Sequence, residues 1–299
     1  MDTSLFEIYK QSHEYTLWPL KEDKFLSILY GTDSSDINNQ TKVFTHIESN
    51  NPVGFVSAKI KDSKGVIVFL FVSPESRLKG VGTSLLKQSL EWFKQNDVHE
   101  IALGAKAGSY IFPGLPKNLG IEGFFKKNGF EISDDGLVDM YQDITNWDVP
   151  QSVFDSVESE NVKINFSNEK VAKDIVEFTK NNFPNWYDNY KFDMERKKYE
   201  KVFYASIGDE IVGISKLWVG DCVWDLLFEN NVGGGGALGV SEKHRGKGIG
   251  LAMKAWGTIK IKEKGIKYVW IGWTYAVDFY KKLGFKVWRE YYKGKLMLK

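Results

Sequence analysis

Two segments of the chain carry the same pattern in the same order. VSPESRLKGVG at 72–82 aligns without gaps on VSEKHRGKGIG at 240–250. Further along, FFKKNGF at 124–130 aligns on FYKKLGF at 279–285. In both halves a helix and a strand are predicted between the two signals. The sequence therefore predicts two copies of one fold.

Length and composition agree with two ordinary domains. The chain has 299 residues, which is the length of two domains of about 150 residues each. Because 42% of the residues are apolar, each domain can form a hydrophobic core. The lone cysteine, Cys222, excludes an internal disulfide and is expected to be a core residue rather than a nucleophile. The four histidines are scattered without metal-ligand spacing, so no metal is expected. Without a signal sequence or an apolar run long enough to cross a membrane, a cytoplasmic protein with no membrane partner is expected.

Hydrophobic patterning predicts mixed α/β structure in both halves. In the first half it predicts strands at 41–48, 53–60, 66–72, 100–105, 130–132 and 140–144, with helices around 85–93 and 121–128. In the second half it predicts strands at 162–166, 202–207, 211–219, 236–240, 268–271 and 285–292, with helices at 169–181, 247–263 and 276–283. The polar stretch at 148–161 is interpreted as the linker between domains 1–147 and 162–299.

Charge is distributed unevenly between the two halves. The formal net charge is only +1, which argues against a nucleic-acid partner. Residues 1–150 nevertheless carry an acidic excess and residues 151–299 a basic one. Two interpretations stay open: oppositely charged domains that pair, or an anionic ligand of the second half.

The repeated Arg-x-x-Gly-x-Gly pattern lies between a predicted strand and a predicted helix. Small residues there allow backbone N–H groups to face outward, and the start of the helix adds partial positive charge, so a phosphate or pyrophosphate can bind. A Walker A loop needs GxxxxGK[ST], which neither copy contains. A dinucleotide-binding loop needs GxGxxG, and the second copy lacks the third glycine.

The strand, the glycine loop and the later aromatic-Lys-Lys-x-Gly-Phe segment together resemble the GNAT acetyltransferase superfamily. The resemblance covers about 42–145 and 162–299. It implies two tandem GNAT folds, each a mixed, mostly antiparallel sheet flanked by helices, and acetyl-CoA as co-substrate. It places the pyrophosphate on the two glycine loops, at Val240, Arg245, Gly246, Lys247, Gly248, Ile249, Gly250 and Leu251, and at Arg77, Gly80 and Gly82.

The two copies differ at positions that matter for the family's chemistry. GNAT enzymes often have a tyrosine four residues before the glycine of the later segment, as general acid near the CoA sulfur. The second copy has Tyr280 there, whereas the first has Phe125; a core aromatic is the alternative interpretation of Tyr280. The second copy's strand is glycine-rich over 233–240, and the resemblance implies that the N–H of Leu238 or a neighbour polarises the thioester carbonyl. A flexible surface loop is the alternative for these glycines.

The resemblance implies that a primary amine of a small molecule or peptide attacks acetyl-CoA in the second half, while the first half is degenerate. An amine must lose a proton to attack, and the nearest carboxylates upstream of the glycine strand are Asp225 and Glu229. Both are also explained as surface acids of a loop. The segment TYAVDFYKKLGF vaguely resembles GNAT modules that accompany amino-sugar enzymes. A non-catalytic acyl-CoA sensor is the alternative function.

Overall fold

The computed structural model describes residues 1–32, 40–61, 63–104, 112–220 and 222–298. The chain forms two compact units. The first comprises Met1–Val138, Val223–Leu227 and Arg289–Lys299, and the second Asp139–Cys222 and Phe228–Trp288. The domain boundaries proposed from the sequence stay a prediction. Residues Ser152–Ser159, inside the segment interpreted as a linker, form a helix.

The first unit is a mixed sheet with helices. Its helices are α1 (Ser4–Lys10), α2 (His13–Leu17), α3 (Glu22–Tyr30), α4 (Val81–Gln95) and α5 (Glu122–Lys127). Its strands are β1 (Gln40–Glu48), β2 (Asn51–Lys61), β3 (Lys64–Val72), β4 (Glu100–Leu103), β5 (Leu115–Pro116) and the larger part of β6 (Glu131–Asp143). Strands β1, β2 and β3 are antiparallel and β3 pairs with β4 in parallel. Residues 294–297 of the last strand, β12 (Lys286–Met297), pair antiparallel with β4.

The second unit repeats this arrangement. Its helices are α6 (Ser152–Ser159), α7 (Ala172–Asn182), α8 (Tyr187–Glu195), α9 (Ile249–Lys262) and α10 (Val277–Lys281). Its strands are β7 (Val162–Phe166), β8 (Val202–Ile207), β9 (Glu210–Val219), β10 (Val232–Val240) and β11 (Tyr268–Thr274). Strands β7 to β10 pair antiparallel in sequence order, and β10 pairs with β11 in parallel. This confirms the predicted fold class, a mixed, mostly antiparallel sheet with flanking helices in each copy.

Several local predictions were wrong. Two short strands were predicted at 130–132 and 140–144, but β6 is continuous. Its residues 133–136 are exposed, and ion pairs of Lys117 with Asp134 and of Lys293 with Asp135 hold them, so they carry no hydrophobic signal. The helix predicted to begin at Glu169 begins at Ala172, because the Asn168 side chain accepts a hydrogen bond from the Lys170 N–H in a turn instead.

Each unit has its own core. In the first, α4 packs its apolar stripe, which includes Leu85, Leu86 and Phe93, against the sheet. In the second, Ile175, Tyr190 and Met194 of α7 and α8 pack on the face of β8 and β9 that carries Val202 and Ile214. Helix α9 covers the other face, where the Phe203 ring lies against Gly257. Strands β8 and β9 therefore lie between two sets of helices, and α9 also packs on β10.

Candidate active site

Strands β10 and β11 separate part-way along their length. They pair only at Val232–Gly234 with Tyr268–Trp270. Beyond Gly234, β10 continues to Val240 beside β9 alone. The backbone of β10 therefore borders an opening in the sheet that begins at Gly235, and an extended ligand can pair with that edge.

A β-bulge shapes this edge. The register between β10 and β9 shifts between Gly236 and Gly239, which leaves Ala237 and Leu238 in the bulge. Ala237 has a φ of 48°, in the left-handed region that non-glycine residues seldom adopt. The hydroxyl of buried Tyr190, on α8, donates a hydrogen bond of 2.7 Å to the Ala237 carbonyl. This bond holds the bulge, and with it the half-buried Leu238, in place.

The glycines of β10 make room for the protein's own rings. A methyl group on Gly234 would lie 2.5 Å from the Trp218 ring, and one on Gly239 would lie 2.4 Å from the Phe183 ring. The segment is a mostly buried strand, so the alternative of a flexible surface loop was wrong. Gly236 differs, since its nearest neighbour is Trp218 at 3.8 Å. Large aromatic side chains therefore lie along the edge of the opening, and the edge itself consists of glycine backbone.

The glycine loop after β10 is anchored by its arginine. The Arg245 Nε donates a hydrogen bond of 3.1 Å to the carbonyl of Val240, the last residue of β10. Gly246 and Gly248 both have a φ of 79°, which only glycine adopts without strain. A methyl group on Gly246 would meet nothing within 4 Å, so the loop leaves open space for a ligand.

Helix α9 starts at this loop without a side-chain cap. The first N–H groups of a helix have no acceptor within the helix, so those of Ile249, Gly250 and Leu251 are available to an anion. A methyl group on Gly250 would make ordinary contact with Phe279, at 3.6 Å. Lys247 forms an exposed ion pair with Glu160. The predicted binding residues of the second copy therefore lie together around one open loop that suits a phosphate group.

The proposed general acid, Tyr280, lies on α10. Its side chain is 8% exposed and packs against Phe279 and Phe285. Burial raises the pKa of its hydroxyl to about 12, so the phenol keeps its proton over the whole neutral range.

The two candidate bases are placed differently. Glu229 is exposed, at a φ of 53° in the turn before β10. Asp225 belongs to the first unit, where its carboxylate pairs with the Lys21 ammonium at 3.0 Å. Cys222 is buried, in agreement with a core role.

Two buried lysines near the opening were missed from the sequence. Lys216 of β9 lies opposite Gly236 and forms an ion pair with buried Asp193 of α8. Burial lowers the pKa of Lys216, although the hydrogen bond to Asp193 counteracts this. Lys254 of α9 is 5% exposed and lies on the other face of the sheet. The signal for Lys254 was present, because it falls on the same stripe of α9 as Thr258 and Ile261, both buried.

The first copy has the same loop backbone. The Arg77 Nε donates a hydrogen bond of 2.9 Å to the Val72 carbonyl. Gly80 precedes α4 with a φ of 88°, and a methyl group on Gly82 would lie 3.6 Å from Phe124. Leu78 takes the left-handed place of Gly246, at a φ of 60°. Arg77, Gly80 and Gly82 are thus arranged like their counterparts in the second copy.

The arginine of the first loop already forms an ion pair with a carboxylate. The Arg77 guanidinium pairs with Glu14 of α2 at 2.9 Å. Partial burial alone would raise the pKa of Glu14, but hydrogen bonds, chiefly from Arg77, hold it below its ordinary value. In the part of the chain that the structure describes, no carboxylate lies within ion-pair distance of Arg245. Among the described residues, a carboxylate therefore neutralises the loop arginine of the first copy but not that of the second.

The corresponding opening in the first unit is filled with side chains. Strand β3 pairs with β4 only at Lys64–Ile67, so the strands separate as β10 and β11 do. Phe69 and Phe71, which align with Ala237 and Gly239, fill the space with Tyr9 and Phe125 and leave a cavity of about 80 Å³. This volume holds a few water molecules and no cofactor. The apolar strand at 66–72 is a packing strand, as predicted.

Metal and membrane features were searched over the described residues. Within them, no group of three or more His, Cys, Asp or Glu side chains is placed to hold a metal ion. None of the helices described is both long and apolar enough to span a membrane.

Comparison with known proteins gives a family for the chain. The model of the Acetyltransferase (GNAT) family matches residues 3–112 and 169–285, one region in each half. Among curated proteins, none is significantly similar in sequence.

Three solved structures are similar over nearly the whole chain. A glucosamine N-acetyltransferase region of a fungal multi-domain GH3 β-N-acetylglucosaminidase is 27% identical, with a TM-score of 0.85; the match covers 98% of this chain and 36% of that one. A tandem GNAT protein from the clavulanic acid biosynthesis pathway is 13% identical, with a TM-score of 0.66 and coverage of 94% and 89%. A GCN5-related N-acetyltransferase from Sphaerobacter thermophilus is 16% identical, with a TM-score of 0.67 and coverage of 93% and 85%. At their identities, the last two establish the fold alone.

Proposed function

The chain belongs to the GNAT acetyltransferase family as a tandem member, and from that premise we propose that its second unit transfers an acetyl group from acetyl-CoA to a primary amine. The observation that carries the proposal is the opening between β10 and β11, beside an unobstructed glycine loop. The family supports acyl transfer in general. The active unit and the acceptor are the parts proposed here.

The residues of the second unit fit acetyl-CoA. The space beside Gly246 and the uncapped start of α9 suit a pyrophosphate, with Arg245 and Lys247 nearby to balance its charge. The free edge of β10 suits an extended amide-containing arm. When bound, acetyl-CoA supplies a thioester, whose carbonyl carbon is open to attack by an amine.

The chain's own residues then perform three tasks. Leu238, in the bulge that Tyr190 braces, presents its N–H to the acyl carbonyl oxygen and stabilises the charge that develops there. Tyr280 donates a proton to the leaving sulfur, because its raised pKa keeps the hydroxyl protonated. The walls of the opening hold both reactants together, which lowers the entropic cost of the reaction.

We propose an amino sugar such as glucosamine as the acceptor. The support is the 27% identity to a glucosamine N-acetyltransferase region over 98% of this chain. Because the chain spans only about 36% of that protein, its wider activity is not carried over. Trp218, half-buried beside the opening, provides a flat apolar surface of the kind on which sugar rings stack.

The test is release of free thiol from acetyl-CoA with a panel of amines: glucosamine, aminoglycosides, polyamines, amino acids and peptides. We expect turnover with glucosamine, a product heavier by one acetyl group in mass spectrometry, and loss of turnover in Gly248→Glu. Tight acetyl-CoA binding without turnover of any amine would instead indicate the acyl-CoA sensor.

A further inference from the structure

The ammonium group of Lys254 lies at the apex of the opening. A methyl group on Gly235 would be 3.5 Å from the Lys254 Nζ. Gly235 is the first residue of β10 beyond its pairing with β11. The side chain therefore reaches from α9 to the point where the two strands separate, three residues before Leu238, whose N–H the proposed function assigns to the acyl carbonyl.

Lys254 has no conventional partner there. Its side chain is 5% exposed, and over the described residues its Nζ has no hydrogen-bond acceptor and no carboxylate within ion-pair distance. The one close group is the ring of Phe285, whose centroid lies 5.0 Å from the Nζ. An unpaired buried ammonium is costly, and an apolar residue of the same length would suit folding better. A role in ligand chemistry explains why a lysine is found here.

The side chains that face Lys254 from β9 and α10 are apolar or aromatic. Leu217 of β9 lies opposite Gly235, so its apolar side chain is on the same face of the sheet as Lys254. Tyr280 of α10 packs on the same Phe285 ring, with centroids 5.9 Å apart. Lys216 and its partner Asp193 lie on the opposite face, because Lys216 pairs with the next residue, Gly236.

Resting on the proposed function, we propose that Lys254 is the proton acceptor of acyl transfer in the second unit. Burial, with no charged neighbour contributing, lowers the pKa of its amine from 10.5 to about 7. A neutral amine is therefore available near neutral pH, and a base of this strength is suited to general-base catalysis. Neither Glu229, which is exposed, nor Asp225, which pairs with Lys21, has these properties.

Each proton of the proposed reaction has a donor and an acceptor. The acceptor nitrogen forms a bond to the acyl carbon, the carbon–sulfur bond breaks, and Lys254 takes the proton that the nitrogen loses. Tyr280 gives its hydroxyl proton to the leaving sulfur, and the Lys254 ammonium and the tyrosinate then return to their starting protonation states by exchange with solvent. Over the whole reaction one proton leaves an ammonium with a pKa of about 7 and one binds a thiolate of ordinary pKa, about 8.5, which is favourable.

The first test compares Lys254→Met with Lys260→Met, which removes a half-buried lysine of the same helix that forms an ion pair with Glu263. Both are assayed with acetyl-CoA and glucosamine, and kcat is followed against pH because it reports groups in the bound complex. We expect wild type and Lys260→Met to lose kcat as the pH falls through about 7. The kcat of Lys254→Met should be at least about 100-fold lower and should no longer fall as the pH drops through about 7, while the KM for acetyl-CoA is nearly unchanged.

A second readout needs no substrate. Because the folded-state pKa of Lys254 is lowered, the unfolded chain holds this proton more tightly, and stability rises with pH between about 7 and 10.5. Lys254→Met should therefore raise the Tm most below about pH 7 and little near pH 10. Lys260→Met should not alter this dependence.

Each outcome decides the proposal. The proposal would be overturned if Lys254→Met keeps the wild-type kcat. It would also be overturned if kcat is lower but still falls at low pH as it does in wild type. A Tm difference independent of pH would also overturn it, because Lys254 would then not titrate in this range. Wild-type protein that acetylates no amine would defeat the proposed function and this inference together, whereas failure in the variants alone would defeat only the role of Lys254.

Discussion

The two glycine loops have nearly the same backbone but different neighbours. Arg77 and Arg245 anchor their loops in the same way, to the carbonyls of Val72 and Val240. The difference lies in what surrounds them. In the first unit Glu14 pairs with the arginine and phenylalanines line the strand opening, whereas in the second unit no carboxylate among the described residues pairs with Arg245, and the strand edge is glycine. The same loop backbone can therefore lie in two different chemical environments.

The largest expected effect tests whether the second copy holds the chemistry. Tyr280→Phe removes the hydroxyl that we propose protonates the leaving sulfur, and kcat should fall by about 10²–10⁴-fold while KM changes little. Steady-state kinetics with glucosamine measures both. Tyr268→Phe, the same change on β11, is the control and should be neutral. An unchanged kcat in Tyr280→Phe would leave the tyrosine as a core aromatic.

A matched pair of substitutions separates the two loops. Gly248→Glu and Gly80→Glu place the same charged side chain at equivalent left-handed positions before α9 and α4. Gly248→Glu should weaken acetyl-CoA binding by roughly 100-fold, because charge-assisted hydrogen bonds to the pyrophosphate are lost and repulsion is added. Gly80→Glu should leave the affinity unchanged. Isothermal titration of both variants decides, and equal losses would mean that the loops share the function.

The Tyr190 hydroxyl sharpens the account of the bulge. Tyr190→Phe leaves the Ala237 carbonyl without its donor, and the free energy of unfolding should fall by about 1–3 kcal/mol in urea titrations. Because Leu238 loses its fixed position, kcat should fall as well, by about tenfold. Tyr204→Phe on β8 serves as the control. A stable variant with full activity would show that the bulge does not depend on this bond.

The smallest effect concerns the carboxylate on the first loop. The lowered pKa of Glu14 means that its ion pair with Arg77 stabilises the fold above the unfolded-state pKa, near 4.5, and that this stabilisation is lost as the pH falls through the folded-state value. Glu14→Gln should cost less than about 1 kcal/mol at neutral pH, because the pair is partly exposed. Denaturation at two pH values measures this difference, which should shrink in acid.

The same variant sharpens the comparison of the two openings. Glu14→Gln should not create a second acetyl-CoA site, because Phe69 and Phe71 still fill the strand opening. A second site in this variant would mean that the carboxylate alone closes the first copy.

The repeated motifs and the strands around them were predicted from the sequence, whereas several helices outside them were missed. The two loops, the later Phe-Lys-Lys segment and the strands around them were predicted because glycine patterns and apolar runs carry local signals. Helices α1, α2, α3, α6 and α8 were missed because they are short. Burial in α1 also depends on tertiary contacts such as those of Tyr9 with Phe25 and Phe69.

The site was predicted only in part, for a related reason. Arg245, Gly246 and Gly248 form a contiguous motif, so pattern alone located them. Lys254 was overlooked although it lies on the buried stripe of α9, and its place beside Gly235 follows only from the packing of α9 on β10. The glycines of β10 accommodate Trp218 and Phe183 as well as freeing an edge. Glu14 lies 63 residues from Arg77 and nothing in the sequence pairs them. Long-range partners of this kind come from the fold, not from local pattern.

The central claim is that one copy binds acetyl-CoA and the other does not. The most direct measurement is the number of acetyl-CoA molecules bound per chain of wild-type protein, by isothermal titration at saturation. The account predicts one site, which Gly248→Glu removes and Gly80→Glu leaves intact. Two sites of similar affinity, or a single site lost in Gly80→Glu, would contradict it.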